Sequence, residues 1–191
     1  MLRIENASLE LGSKVLFRDL NFHLQTGQLL HIAGPNGIGK SSLLKALMGQ
    51  VPLTKGSLHW NCKNKSYVPQ LANMSFHINL TLRDVLNTLL DIYNEQSVVE
   101  LGLLDSASLD LCWNSASGGE RQRTLLTQAF LSGSDVLILD EPMNHLDKGR
   151  SAKVFELMKD FVSAGKRSLI YVSHNTFSSS DATTLNLRDC T

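Results

Sequence analysis

The sequence has 191 residues, 42% of them hydrophobic, and balances 18 basic against 18 acidic side chains for a formal net charge of zero. That size and apolar content suit one domain with a substantial core and room for a small inserted unit, and the balanced charge leaves no chain-wide basic footprint, so no nucleic-acid partner is expected. No run reaches the roughly 20 apolar residues of a membrane helix, and the opening MLRIENASLE, unlike a signal peptide or anchor, mixes charged with apolar residues from the start. At a membrane, such a chain would dock onto a partner. Cys62, Cys112 and Cys190 are widely spaced and form no CxxC pair, which reads as incidental thiols in a reducing compartment; the six histidines are scattered, with no zinc-like cluster.

Taken in order, residues 1–11 alternate loosely, Gly12-Ser13 makes a turn, and 15–24 alternate again, which predicts strands. Thr26-Gly27 is a second turn. The apolar run 29–33 (LLHIA) reads as a buried strand that enters a glycine-rich loop, and 42–48 carries helical periodicity. Short strands are predicted at 57–60 and 66–68. From about 71 to 114 the chain becomes richer in Leu, Asn, Asp and Ser, with helical spacing over 82–92. This predicts a small helical subdomain of about 71–116 inserted into a core of 1–70 and 117–191. A helix follows Gly119 through Leu131, then a buried strand at 135–139 (DVLIL), a helix at 148–162, a buried strand at 168–172 (SLIYV) and a last strand at 183–187. Strands alternating with helices predict a mostly parallel α/β sheet.

Gly34-Pro35-Asn36-Gly37-Ile38-Gly39-Lys40-Ser41 satisfies GxxxxGK[ST], between a predicted buried strand and a predicted helix. Backbone N–H groups can converge on phosphate oxygens only if the chain curls tightly, and the positive end of the following helix, from Ser42 onward, faces the same anion. Lys40 would supply charge to the β- and γ-phosphates, and Ser41 a hydroxyl to Mg²⁺. Asp140 ends the apolar run begun at Asp135, and Glu141 follows it. A carboxylate at the C-terminal end of a sheet strand faces the ligand crevice, so Asp140 is placed to hold Mg²⁺ and Glu141 to orient and polarise an attacking water.

With these motifs upstream and downstream, Ser117-Gly118-Gly119-Glu120, preceded by Ala116 and followed by Arg121-Gln122-Arg123, resembles the LSGGQ signature of ATP-binding cassette (ABC) ATPases. Ala116 stands where that family usually has Leu, and Glu120 where it usually has Gln. Gln70, after Tyr67-Val68-Pro69, looks like the family's Q-loop glutamine; Asp147 in Asn144-His145-Leu146-Asp147 resembles its D-loop aspartate; His174 looks like its switch histidine. The resemblance spans nearly the whole chain. It implies a P-loop NTPase core of ABC type with an antiparallel β subdomain and the helical insertion.

The same resemblance implies ATP and Mg²⁺ as ligands. Phosphate contacts would come from Gly34, Asn36, Gly37, Gly39, Lys40, Ser41 and Ser42 and, in trans from a second and identical copy, Ser117 and Gly119. Mg²⁺ would be held by Ser41, Gln70 and Asp140, and catalysis would rest on Glu141, His174, Lys40 and Gln70. An aromatic residue commonly stacks on adenine in this family; Leu11 falls about where it belongs, and Phe17 is the nearest alternative, although its alternation phase also suits the core. The implied setting is the cytoplasmic, inner face of the cell membrane, beneath an integral membrane transporter subunit that docks on the helical segment. Phe76, Leu80, Leu82 and Val85 would serve that docking, or simply form the core of the segment. The other reading that the motifs admit is a soluble ABC ATPase acting on nucleic acid or ribosomes; such proteins usually carry long insertions or two cassettes. The chain stops soon after His174, so no C-terminal regulatory domain is expected. On cargo the resemblances diverge: 29–60 is similar to haem-exporter ATPases of cytochrome c maturation, and 67–86 to metal-ion importer ATPases.

Overall fold

The strand signals resolve into two sheets in the computed structural model, which describes residues 1–70, 76–88, 94–173 and 182–190. In chain order the elements are β1 (Leu2–Leu11), β2 (Lys14–Leu24), β3 (Leu29–Ala33), α1 (Lys40–Leu47), β4 (Lys55–Trp60), β5 (Lys65–Val68), α2 (Leu82–Asn87), α3 (Glu95–Glu100), a 3₁₀ turn at Ser106–Asp110, α4 (Gly118–Leu131), β6 (Val136–Asp140), α5 (Lys148–Ser163), β7 (Ser168–Val172) and β8 (Ala182–Asn186). The expected helix over 82–92 runs over Leu82–Asn87, and 89–93 lie outside the described residues. α4 and α5 start where side chains cap them: Ser117 accepts from the Glu120 N–H and Asp147 from the Arg150 N–H.

The larger sheet is wholly parallel, in the order β5-β6-β7-β3-β8. Every residue of β6 and β7 is buried, which is why both read as continuous apolar runs. The pleat sends alternate side chains to opposite faces. Val136, Ile138, Ile170 and Val172 pack with α1 and the smaller sheet, around Leu43, Leu44 and Phe17. Leu137, Leu139, Leu169 and Tyr171 pack with α4 and α5, around Leu126, Phe130, Met158 and Phe161. Because the strands are parallel, the loops leaving β3 and β6 open on the same edge of the sheet, one strand apart.

The smaller sheet is antiparallel, in the order β2-β1-β4. Its β1–β2 pairing slips where Leu9 faces Phe17 but Glu10 faces Val15, leaving Leu16 as an extra residue on β2. Such a bulge turns a side chain out of the alternation, so Leu16 and Phe17 are both buried in succession.

A third apolar cluster gathers Leu82, Val85, Leu86, Val98, Leu109 and Trp113, with Phe76 and Leu80 packed against it. The four residues weighed for docking thus pack into the core of their own segment. Trp113 is fully buried, meets Phe76 edge-on at 5.5 Å and carries the Arg121 guanidinium 5.8 Å from its ring centre. Arg121 Nε also donates to the Trp113 carbonyl at 2.8 Å, tying this cluster to α4. Replacing a buried Trp by Ala removes its transfer free energy and leaves a cavity. Trp113→Ala is therefore expected to cost about 3–5 kcal/mol in chemical denaturation, whereas Leu11→Ala, at a half-exposed hairpin tip, should cost less than about 0.5 kcal/mol.

Candidate nucleotide site

The loop between β3 and α1 is shaped by its glycines. Gly39 caps α1 with φ at 113°, and a Cβ there would lie 3.0 Å from Leu16 Cβ, so both backbone shape and close packing require glycine. No side chain caps α1, and no acidic residue occupies its first turn. Its N-terminal N–H groups and positive dipole end therefore suit an external anion. Lys40 is almost wholly buried, and its Nζ donates to the carbonyls of Gly34 at 2.8 Å and Pro35 at 3.0 Å. Burial lowers its pKa, while the charges of Glu141 and Asp140 push it back up. A second ammonium, Lys14 Nζ, donates to the carbonyl of Gly37 at 2.9 Å from the start of β2.

Asp140 closes β6 and is 2% exposed. Burial raises its pKa, against the pull of the Ser41 and Tyr67 hydroxyls and the charge of Lys40. Burial next to Asp140 in turn pushes the Tyr67 phenol up to about 12. Asp140 Oδ1 is buried without a hydrogen-bond partner among the described residues. A hydroxyl and a carboxylate with an unsatisfied oxygen, next to a phosphate-binding loop, fit Mg²⁺, which takes oxygen ligands and commonly only one or two carboxylates plus substrate phosphates. Glu141 is buried, and its backbone adopts the left-handed region at φ 52°, held there by an N–H bond to the Val172 carbonyl at 3.1 Å. A non-glycine residue in that region is strained, and the bond to Val172 sets the direction in which the Glu141 side chain leaves the backbone.

Asn36, Gly37, Gly39, Lys40, Ser41, Ser42, Gln70 and Glu141 surround one cavity of about 380 Å³. Gly34 stands beside it as an acceptor for Lys40. Leu16 and Val172 complete the wall. Sequence reasoning missed both: Val172 reads as an ordinary core strand residue, and Leu16 reaches the cavity only through the bulge. Phe17, weighed for the adenine contact, is fully buried in the core, as its alternation phase suited, and Leu11 is 51% exposed. His174 lies outside the described residues.

Ser117 and Gly119 do not line this cavity. Ser117 and Glu120 form a reciprocal cap: Ser117 N and Oγ each donate to Glu120 Oε2 at 2.7 Å, and Ser117 Oγ accepts from Glu120 N at 3.2 Å. These bonds hold the Glu120 carboxyl below its ordinary pKa. A Cβ at Gly119 would lie 2.8 Å from the His145 carbonyl oxygen, so α4 starts in close contact with the loop that ends at Asp147.

The ABC transporter family model matches residues 17–144. The zinc import ATP-binding protein ZnuC of Acinetobacter baylyi is 32% identical over 180 residues, covering 92% of this chain and 68% of that protein. The cytochrome c biogenesis ATP-binding export protein CcmA of Mannheimia succiniciproducens is 30% identical over 201 residues, covering 97% of this chain and 93% of that one. A chain from a metal-chelate type ABC transporter in an inward-facing conformation superposes with a TM-score of 0.80 at 26% identity, over 97% of this chain and 79% of that one. A fold, a phosphate loop and relatives that agree over nearly the whole length place this chain in the ABC transporter family, as an ATP-binding subunit that hydrolyses ATP.

Proposed function

We propose that this ATPase works as a head-to-tail pair of identical copies beneath a separate integral membrane subunit, on the cytoplasmic face of the cell membrane. The observation that carries this reading is the division of the site. Lys40, Ser41, Gln70 and Glu141 share one cavity, with Asp140 behind them, whereas Ser117 and Gly119 lie outside it. A second copy would bring its own Ser117 turn to the open side of that cavity. ATP would then be held between the two, its charge matched fully only in the closed pair.

In this reading the triphosphate takes over the ammonium of Lys40 from the Gly34 and Pro35 carbonyls. Ser41, Asp140 and Gln70 would hold Mg²⁺, which supplies charge neutralisation at the β- and γ-phosphates. Glu141, which lines the cavity at the end of β6, accepts a proton from the attacking water. Lys40 and His174 stabilise the charge that develops on the transferred phosphoryl. Once the γ-phosphate leaves, the bridge between the copies is gone and the pair can open.

The dock for the membrane subunit is proposed beside residues 71–116, at a cavity of about 400 Å³ between β5 and α4. Tyr67, Val68, Pro69, Leu125, Gln128 and Ala129 line it, immediately before Gln70. Among the described residues no helix is long and apolar enough to cross a membrane. Relatives whose names state zinc import and cytochrome c biogenesis export support a transport role.

Glu141→Gln should lower kcat by about 10²–10³-fold while leaving ATP binding in place, read by steady-state hydrolysis and calorimetry; turnover at the parent rate would remove Glu141 from the role of base. In that slow background, gel filtration should show ATP-dependent pairing. Adding Gly119→Ala, which forces α4 away from His145, should abolish the pairing without weakening ATP binding to single copies. Purified from its native membrane, the protein should bring an integral membrane subunit with it; recovery of ribosomes or nucleic acid instead would overturn the transport assignment.

A further inference from the structure

One polar side chain interrupts the apolar run of β3. His31 lies between Leu30 and Ile32 and is 4% exposed. An imidazole buried in such a run costs free energy unless its polar atoms are bonded. Its ring stacks on Tyr171, the residue it faces across the ladder in β7, with centroids 4.7 Å apart and planes 14° from parallel. Its Nε2 lies 3.2 Å from the Ser173 carbonyl. A carbonyl oxygen only accepts, so Nε2 carries the proton and donates it.

That bond falls where β7 stops pairing. Its ladder with β3 ends at Ile32 and Val172, and its ladder with β6 at Asp140 and Val172, so Ser173 is the first residue past both. The peptide unit just before contains the Val172 carbonyl, which accepts from the Glu141 N–H at 3.1 Å. Glu141 sits at φ 52° with that bond in place, and it lines the nucleotide cavity together with Val172. Each peptide unit is planar and stiff, so only the two soft dihedrals of Ser173 separate the carbonyl held by His31 from the carbonyl that holds Glu141. Fixing the first limits how far the second can turn.

We propose that His31 is a positioning residue for ATP hydrolysis. Its bond to Ser173 steadies the end of β7, and the end of β7 keeps Glu141 aimed at the attacking water. His31 itself is not among the residues that line the cavity, so it acts through the backbone. The inference rests on the reading of Glu141 as the base. A different role, as a ring that merely fills space against Tyr171, would need the stacking and not the donor.

Two substitutions separate these roles in the full chain. His31→Phe keeps a ring on Tyr171 and removes the donor, whereas His31→Gln keeps a donor and removes the ring. In steady-state hydrolysis His31→Phe should lower kcat about tenfold, with KM and the calorimetric affinity for ATP within about twofold of the parent. His31→Gln should hold kcat within about threefold of the parent. The reverse order, with His31→Phe at the parent kcat and His31→Gln slow, would overturn the inference. Added to Glu141→Gln, His31→Phe should change the residual rate by less than about twofold, because the base it positions is already gone; a full loss in that background would show that His31 acts by another route. Should His31→Phe fail to fold, His31→Leu, which matches its neighbours in the run LLHIA, takes its place with the same expected results. Glu141→Gln at the parent rate would remove the base and this inference with it. A slow Glu141→Gln beside a His31→Phe of parent kcat would sink this inference alone.

Discussion

The structure depends on one constraint: β3 and β6 must be held parallel, one strand apart, by buried strands with no slack in their register. The pairing through β7 fixes Leu30 against Ile170 and Ile138 against the same residue, so the two strand ends arrive together. One delivers the glycine loop with Lys40, and the other delivers Asp140 and Glu141. A slip of one residue in either strand would invert its faces and withdraw the carboxylates from the phosphate loop. Close packing on both faces of β6 and β7 opposes that slip, because each displaced side chain would meet neighbours shaped for another, at about 1–3 kcal/mol per overpacked site.

On this scaffold the electrostatics are mutually reinforcing. Lys40 and Asp140 are both buried at a cost, and each offsets part of the other's desolvation. The remaining imbalance is visible as an unsatisfied Asp140 oxygen and as a lysine that borrows backbone carbonyls. Both groups are partly paired in the protein alone, and a magnesium nucleotide would complete both sets of bonds. That complementarity would make ATP a structural component of the site as well as its substrate.

Much of this arrangement was legible in the residue order. The glycine loop, the Asp140-Glu141 strand end and the continuous apolar runs of β6 and β7 announce themselves locally, because the physics that requires them acts over fewer than ten residues. Features that depend on distant pairings were not legible. Leu16 lacks the type that suggests a base contact, yet the bulge opposite Leu9 and Glu10 places it at the cavity, whereas Phe17 stays in the core that its alternation already suited. The need for glycine at 119 is equally hidden, since it arises from the carbonyl of His145 in a loop that follows another strand. Phe76 and Leu80 were open to two readings, because apolar spacing on a short segment does not distinguish an interior from a contact surface.

The reciprocal cap at Ser117 has a consequence for idling. Its hydroxyl proton already belongs to Glu120 within the same chain, and its lone pair is engaged by the Glu120 N–H. In the proposed pair this turn can greet a foreign phosphate only by breaking a bond that is satisfied at rest. The half-buried carboxylate of Glu120, held ionised by these bonds, would add a repulsive charge beside an incoming phosphate. In the proposed pair, two empty copies would therefore gain little by meeting, since each turn already satisfies itself within its own chain.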